Sequence, residues 1–285
     1  MRKANHWQDY IILDAGDQEK LEKIGPYTIV RPDPVAIWPK QKPHLWAKVD
    51  ASYTRSKQGG GSWTLHTKMK DSWILPYQHL KFNVSLTNFK HFGLFPEQAT
   101  NWDWMRKTIT SSGRKELKVL NLFAYTGGAT LACASCDEVS EVVHVDAAKG
   151  MVDWAKNNVK LNKLDEKTIR YIVDDCVKFV TREIKRGRRY DVVILDPPSY
   201  GRGPNNEVWK IEDQLVPLLS LIKQVLSSDP CFVLLNSYTT NLSASVIENI
   251  LRTTLGNNVS VDEIGLPIHD STLCLPAGVS GIWQP

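Results

Sequence analysis

From residue 118 onward the chain repeats one alternation, and no other feature restricts its fold as much. "KVLNLF", "EVVHVD", "TIRYIVDD", "YDVVILD" and "CFVLLNSY" are short apolar runs rich in β-branched residues. Between and after them lie "GGATLACASC", "AAKGMVDWAKNNVKLN", "CVKFVTREIKRG", residues 208–226 and "SASVIENILRTTL", which read as helices. A strand apolar on both sides of its pleat must be covered on both faces, so these runs predict a mostly parallel sheet with helices on each side. Regular alternation of this kind gives a doubly wound α/β fold. Such folds bind ligands beyond the carboxyl ends of the strands, near the point where strand order reverses. Chemistry is therefore expected in the residues that directly follow each strand.

Ahead of this repeat the texture changes. Up to about residue 95 the chain consists of strand-like runs such as "WILPYQHLKFNVSLT", broken by turns, and "GPYTIVRPDPVAIWPK" alone holds four prolines. "RSKQGGGSW" reads as a loop, because three glycines carry no side chain to pack. "FPEQATNWDWMRKTI" turns helical and marks a junction. Residues 1–95 are thus expected to form a smaller β-rich domain and residues 96–285 the α/β domain. Charge follows the same division: 14 Lys/Arg stand against 8 Asp/Glu in residues 1–95, and 21 against 23 in the remainder. Seven of the ten tryptophans precede residue 105. A basic, aromatic-rich part beside a slightly acidic one fits substrate recruitment next to catalysis. The indoles suit the core of a small β domain equally well.

No apolar run approaches the ~20 residues of a membrane span. "MRKANHWQDYIILDAGDQEK" lacks the apolar core and cleavage site of a signal peptide. A cytoplasmic protein without a membrane partner is the expectation. The five cysteines, an odd number, cannot all pair within the chain. The lone CxxC of Cys133 and Cys136 has no second ligand pair nearby, so no metal is expected. Oligomeric state leaves no trace in the sequence.

The first strand runs into "NLFAYTGGATLA". Gly127 and Gly128 permit a tight turn and a close backbone approach to a ligand at the start of a helix. Asp146 closes the second strand, 19 residues after Gly127. That is the spacing at which an acid grips ribose hydroxyls, and an aspartate there also suits a helix N-cap. The third strand ends in "DDC", where Asp174 or Asp175 can accept from an adenine amine, Asp175 being preferred because the Cys176 amide then meets the ring edge; capping is again the alternative. The fourth strand ends in "DPPSY". Asp196 supplies a carboxylate, Pro197 and Pro198 carbonyls of fixed direction, and Tyr200 a ring on which a flat acceptor can stack. Hydride transfer does not need this set. Methyl transfer does, because a planar nucleophile must be held in line with a sulfonium. The run Lys185, Arg186, Arg188 and Arg189, with Arg202, can meet phosphates or sit as a solvated helix end. His79, His91 and His269 have no partner by spacing and read as structural.

These stretches resemble the class I methyltransferases that use S-adenosylmethionine. More narrowly, they are similar to the bacterial 23S ribosomal RNA large-subunit group that includes the cytosine carbon-5 enzymes. The likeness rests on "NLFAYTGG", "VVHVDAAKGMVDWAKNNVKLN", "YIVDDCVKF" and "YDVVILDPPSYGRG" in that order, with "HFGLFPEQATNWDWM" ahead of them, and covers roughly residues 90–240. It implies a Rossmann-like, mostly parallel seven-stranded sheet in which the seventh strand inserts antiparallel, "SGIW" supplying part of it. It implies S-adenosyl-L-methionine as cofactor. Glu97, Gln98, Tyr125, Thr126, Gly127 and Gly128 would then lie near the methionine part. Asp146 would hold the ribose, and Asp175 with Cys176 the adenine. Asp196 with Pro197 would form the floor beneath the methyl group. Asp196, Pro197 and Tyr200 become the catalytic set, and RNA, ribosomal RNA first, the expected partner. A small-molecule or protein acceptor, or a nucleotide-binding module without catalysis, would keep the same cofactor residues.

Two departures stand out. The N-terminal part does not look like the small RNA-binding domain that usually precedes this catalytic domain. Methylation of cytosine carbon-5 also needs thiolate attack on the ring, from a cysteine at the end of the fourth or fifth strand. Those ends read "DPPSY" and "LLNSYTT" here, leaving Cys274 in "STLCLPAG" as the one thiol able to reach from a late loop. Transfer to nitrogen or oxygen asks mainly for placement.

Overall fold

The computed structural model describes residues 1–56, 60–202 and 208–285. The chain divides into two compact units. One is Asn101–Ile264 with Gly278–Pro285 and Met1; the other is Arg2–Thr100 with Gly265–Ala277. The division thus falls near residue 100, and a C-terminal segment joins the N-terminal unit. Long-range pairing explains that return: Ala4 N donates to Gly265 O (3.0 Å) and His269 N to Ile12 O (2.8 Å).

The α/β unit is built on strands β1 (Leu117–Leu122), β2 (Val139–Asp146), β3 (Ile169–Val173), β4 (Val192–Leu195), β5 (Phe232–Ser237), β6 (Val259–Pro267) and β7 (Cys274–Trp283). They lie in the order β6-β7-β5-β4-β1-β2-β3, with the two-residue strand Arg2–Lys3 beyond β6. From β5 to β3 every pairing is parallel. β7 runs antiparallel to β5, with Leu234 opposite Ile282. β4 is buried at all four positions, as its unbroken apolar run requires.

Helices α1 (Ala99–Ser111), α2 (Gly128–Ala134), α3 (Lys149–Leu161), α4 (Cys176–Lys185), α5 (Ile211–Val225) and α6 (Ala244–Thr254) alternate with the strands. Phe179 of α4, Leu215 and Leu219 of α5, and Ile247 and Leu251 of α6 share one apolar layer with Leu120, Val143 and Val193. Each such side chain contributes roughly 1.5–3 kcal/mol through burial. The helix expected over 208–226 begins only at Ile211. Val208–Lys210 is instead one arm of a short hairpin with Tyr200–Arg202, pairing Gly201 with Trp209. Residues 203–207, part of "GRGPNN", lie outside the described residues.

In the N-terminal unit, strands Tyr10–Gly16, Glu19–Ile24, Tyr27–Pro32, Ala51–Arg55 and Gly61–Leu65 form a five-stranded sheet in chain order. Its one parallel pairing joins Tyr27–Pro32 to Ala51–Arg55. Trp73–Tyr77 and Leu80–Val84 make a separate hairpin. Residues 57–59 of the expected "RSKQGGGSW" loop lie outside the described residues. Buried Glu22 accepts from Tyr10 Oη (2.6 Å) and from the Arg31 guanidinium. Burial alone would raise its carboxyl; the Arg31 and Lys20 charges and these hydrogen bonds more than reverse that. The tryptophans of this unit are cross-links. Trp7, Trp38, Trp46, Trp63 and Trp73 donate their indole N–H groups to Pro96 O, Ala15 O, the Asp14 carboxylate, Thr87 O and Ile24 O. An indole can enter a core only when its N–H finds such a partner. Among the described residues no helix is long and apolar enough to cross a membrane.

Candidate active site

Four strands of the α/β unit bring their carboxyl ends to one rim, in the order β4, β1, β2, β3. Backbone hydrogen bonds continue the ladder to the very edge: Asp196 N to Leu122 O (3.4 Å), Ala124 N to Val145 O (3.0 Å) and Asp174 N to Asp146 O (3.1 Å). Strand order reverses at β1, between β2 and β4, which is where a doubly wound sheet opens a crevice. At ~4.8 Å per strand, the β2 and β4 ends stand on the order of 10 Å apart, with the turn after β1 between them.

That turn is held in an unusual backbone conformation. Phe123, Tyr125 and Gly127 have φ of +55°, +51° and +89°. A non-glycine residue in the left-handed region costs on the order of 1 kcal/mol or more, so surrounding contacts must enforce it. Asp146 Oδ2 accepts the Tyr125 N–H (2.9 Å), and Asn158 Nδ2 donates to Thr126 O (2.9 Å). Beneath them lies a buried polar chain in which Asn121 Nδ2 donates to Thr130 Oγ1 (2.9 Å), itself 2.9 Å from His144 Nδ1. Burial holds the His144 imidazole down to about 4, opposed by the Tyr125 backbone. It is therefore neutral near pH 7 and stands under the turn without adding charge.

Gly127 and Gly128 have a packing reason as well. A Cβ on Gly128 would lie 2.7 Å from the Trp102 ring, and one on Gly127 would lie 3.0 Å from the Ala155 Cβ. What the two glycines admit in this structure is α1 and α3.

Asp146, at the end of β2, is not the N-cap of α3; Ala148 is. Its Oδ1 accepts from Ala148 N (2.8 Å) and its Oδ2 from Tyr125 N. Burial pushes the carboxyl up, and these two amides pull it partway back. Each oxygen retains a second lone pair, and a partly desolvated carboxylate gains from further donors such as a pair of hydroxyls. Asp175 does cap: its Oδ1 accepts from Lys178 N (2.9 Å) at the start of α4. Asp174 is engaged by Arg182. The Cys176 side chain belongs to the apolar layer, where burial pushes its thiol up, so only its backbone is available to a ligand.

On the β4 side Asp196 is half-buried, Pro197 buried, and Tyr200 53% exposed. The Pro198 carbonyl, expected to be available to an acceptor, takes the Trp209 indole N–H (2.6 Å). The same Trp209 ring lies 4.9 Å from that of Phe123. One side chain thus ties the hairpin after "DPPSY" to the turn after β1. Ser199 Oγ meets Thr239 Oγ1 (2.6 Å) beyond β5. Asn236, near the end of β5, accepts from Asn101 Nδ2 (2.9 Å) and Ser280 Oγ (2.5 Å).

Glu97 and Gln98 form a buried 3-10 turn with Pro96 in the N-terminal unit. Arg186 and Arg188 end α4, at the opposite rim from Asp196, where Glu183 and Glu141 pair with them. Those acids remove the reason to assign the two arginines to phosphates. Cys231 precedes β5 at that opposite rim, beside Arg114. Sequence reading missed Asn121, Thr130, His144 and Trp209. The one signal was a polar residue inside an apolar run, as in "VLNLF" and "VVHVD".

The matching family model is that of S-adenosylmethionine-dependent methyltransferases, over residues 53–211. The chain belongs to this family. It is 33% identical to the SAM-dependent methyltransferase of Agrobacterium tumefaciens, whose crystal structure superposes with a TM-score of 0.93 over 99% of this chain and 92% of that one. It is 30% identical over 167 residues to the ribosomal RNA large subunit methyltransferase K/L of Pseudoalteromonas atlantica, covering 58% of this chain and 22% of that protein. It is 27% identical over 187 residues to the ribosomal RNA large subunit methyltransferase K of Neisseria meningitidis serogroup B, covering 65% and 49%. The chain therefore spans between a fifth and a half of the length of these two curated relatives. The rim residues fit S-adenosylmethionine: Asp146 offers lone pairs to two vicinal hydroxyls, and the enforced turn at 123–127 lies between it and the Asp196 carboxylate.

Proposed function

We propose that the chain transfers the methyl group of S-adenosylmethionine to a base of RNA, ribosomal RNA first. The observation that carries this reading is the pairing of a closed nucleoside side with an open acceptor side on one rim. The turn after β1 and Asp146 are fixed by backbone contacts, while Tyr200, after Asp196, is 53% exposed. The naming of the curated relatives as ribosomal RNA methyltransferases supports the acceptor class. A cytoplasmic setting goes with it.

When bound, S-adenosylmethionine supplies a methyl group already activated on its sulfonium. The protein's task is placement. Asp146 holds the ribose, and Asp175 with the Cys176 backbone meets the adenine. Tyr125, Thr126, Gly127 and Gly128 remain assigned to the methionine part. Tyr200 stacks the acceptor base, a contact worth ~1–3 kcal/mol in single-stranded binding; a paired base must first leave its stack. Asp196, with the Pro197 carbonyl, accepts hydrogen bonds from an attacking amine and takes up its developing charge. Asp196 would take the proton that the attacking amine releases. We assign the acceptor as nitrogen, which needs placement but no thiolate; Cys133, Cys136 and Cys176 are buried and Cys231 lies at the opposite rim, so a carbon-5 reaction would rest on Cys274, the first residue of β7.

The test is transfer of labelled methyl from S-adenosylmethionine to total RNA and to total protein, followed by nucleoside analysis. Label in an N-methylated nucleoside of ribosomal RNA, lost in Asp196→Ala, is the expected result. Label confined to protein or small molecules contradicts the acceptor class, and a carbon-5 product contradicts the assigned atom.

A further inference from the structure

In the N-terminal unit a cavity of about 290 Å³ is lined by Tyr53, Arg55, Ser56, Gly60, Phe89, Lys90 and His91. Its wall is the loop Thr87–His91, which is firmly fastened. Trp63 Nε1 donates to Thr87 O (2.7 Å) and Phe89 O (3.1 Å). Thr87 Oγ1 donates to His91 O (2.8 Å), and Arg31 Nη1 donates to Lys90 O (2.8 Å). Yet the loop presents Phe89 outward, 63% exposed. A loop held by so many bonds gains nothing in stability from a phenyl ring left in water, so the ring is available for contact.

The charge on its lining is one-sided, while the neighbouring cations Lys20 and Arg31 are paired with Asp33 and Glu22. Among the described residues no ion pair engages Arg55 or Lys90, and the lining contains no acid. Burial, then Lys20, Arg55 and Arg31, hold the Lys90 ammonium down to about 8 against the pull of Asp33. Burial, then Arg31, Lys90, Lys20 and Arg55, hold His91 down to about 4. Cations that depress one another mark a field that an anion would relieve. An Arg and a Lys beside an exposed aromatic face are the elements of single-stranded nucleic acid binding, with phosphate on the cations and base on the ring.

We infer that this cavity binds one nucleotide of single-stranded RNA, its phosphate on Arg55 and Lys90 and its base on Phe89, recruiting the substrate through the N-terminal unit. The inference rests on the RNA reading of the active site and adds a second, non-catalytic contact to it. The aromatic face favours RNA over an acidic peptide, which would use the cations alone.

The test uses the full chain and a fluorescein-labelled uridine dodecamer, followed by anisotropy across a salt series. Phe89→Ala is expected to weaken binding about tenfold with an unchanged salt slope. Arg55→Gln combined with Lys90→Gln is expected to make the slope shallower by about 1.4, two phosphate contacts at ~0.7 each. Unchanged affinity for S-adenosylmethionine in both variants shows that they fold. The inference is overturned if both bind the dodecamer as the parent does, if a polyglutamate peptide displaces it as well as unlabelled oligouridine does, or if the parent does not bind it. Methyl transfer to RNA measured alongside separates the two readings: if it persists, this site alone fails; if it is absent, the RNA reading fails too.

Discussion

Along the β1–β2–β3 side of the rim, Asp146 accepts two backbone amides, Thr126 is held by Asn158, and His144 lies buried under the turn. Along the β4 side, the chain leaves Asp196 for a short hairpin in which Trp209 is buried and Tyr200 exposed. The first side is arranged in advance, with strained φ angles already enforced. The second is anchored through Trp209, on Pro198 and Phe123, and through Ser199 on Thr239, while the Tyr200 ring is left exposed. The contrast matches two kinds of ligand. A small molecule of fixed shape is bound best by a site that need not reorganise. A macromolecular acceptor must approach from outside and have one base presented, which requires an accessible ledge.

The largest expected effect breaks the open side alone. Asp196→Ala should lower turnover by about 10²–10³ at saturating S-adenosylmethionine, the usual scale for removing one group that stabilises developing charge. Labelled-methyl incorporation measures it, and a loss under tenfold would remove Asp196 from the chemistry. Next comes the foundation of the closed side. An unfolded histidine takes up a proton below pH ~6.5, whereas folded His144 refuses one until about 4. Its contribution is complete above pH ~6.5 and is lost as pH falls toward 4, an effect on the order of 3 kcal/mol. Denaturant unfolding at pH 7 and pH 4.5 should show that loss in the parent and a flatter profile in His144→Gln. His91 adds a loss of the same sign in the N-terminal unit, so the difference between variants, not the slope itself, is diagnostic.

Asp146→Ala should weaken S-adenosylmethionine binding about 10–100-fold by calorimetry, the loss of charge-assisted hydrogen bonds to the ribose. RNA affinity should stay unchanged; a comparable drop in both would mean the two sides are not separate. Smallest is Tyr200→Ala. It should raise KM for RNA by about fivefold, the low end of a base-stacking contact, with no shift in melting temperature because the ring is already in water. A clear loss of stability would show that Tyr200 packs rather than binds.

The parallel strands were legible from local rules, and Asp146, Asp175 and Asp196 stand at or just beyond the ends of three of them. Continuous apolar runs give buried strands, and ligands sit where those strands end. The helix start at Ile211 was missed because three residues of hairpin, Val208–Lys210, carry the same apolar character as a helix turn. Arg188, just past α4, looked free because its partner Glu141 is brought to it by β2 only in the folded sheet, whereas the partner of Arg186, Glu183, stands three residues before it in the chain. The return of Gly265–Ala277 to the N-terminal unit likewise depends on pairing with residues more than 250 positions away. His144 sits in "EVVHVD", where one polar residue among valines shows that something inside must satisfy it, but not what.

A crystal structure of the full chain with S-adenosylhomocysteine puts all of this to the question at once. The ribose hydroxyls should lie within hydrogen-bonding distance of the Asp146 carboxylate, with the sulfur turned toward Asp196 and Pro197. A ligand seated anywhere else, or one that leaves Asp146 without a contact, would contradict the division of the rim into a closed donor side and an open acceptor side.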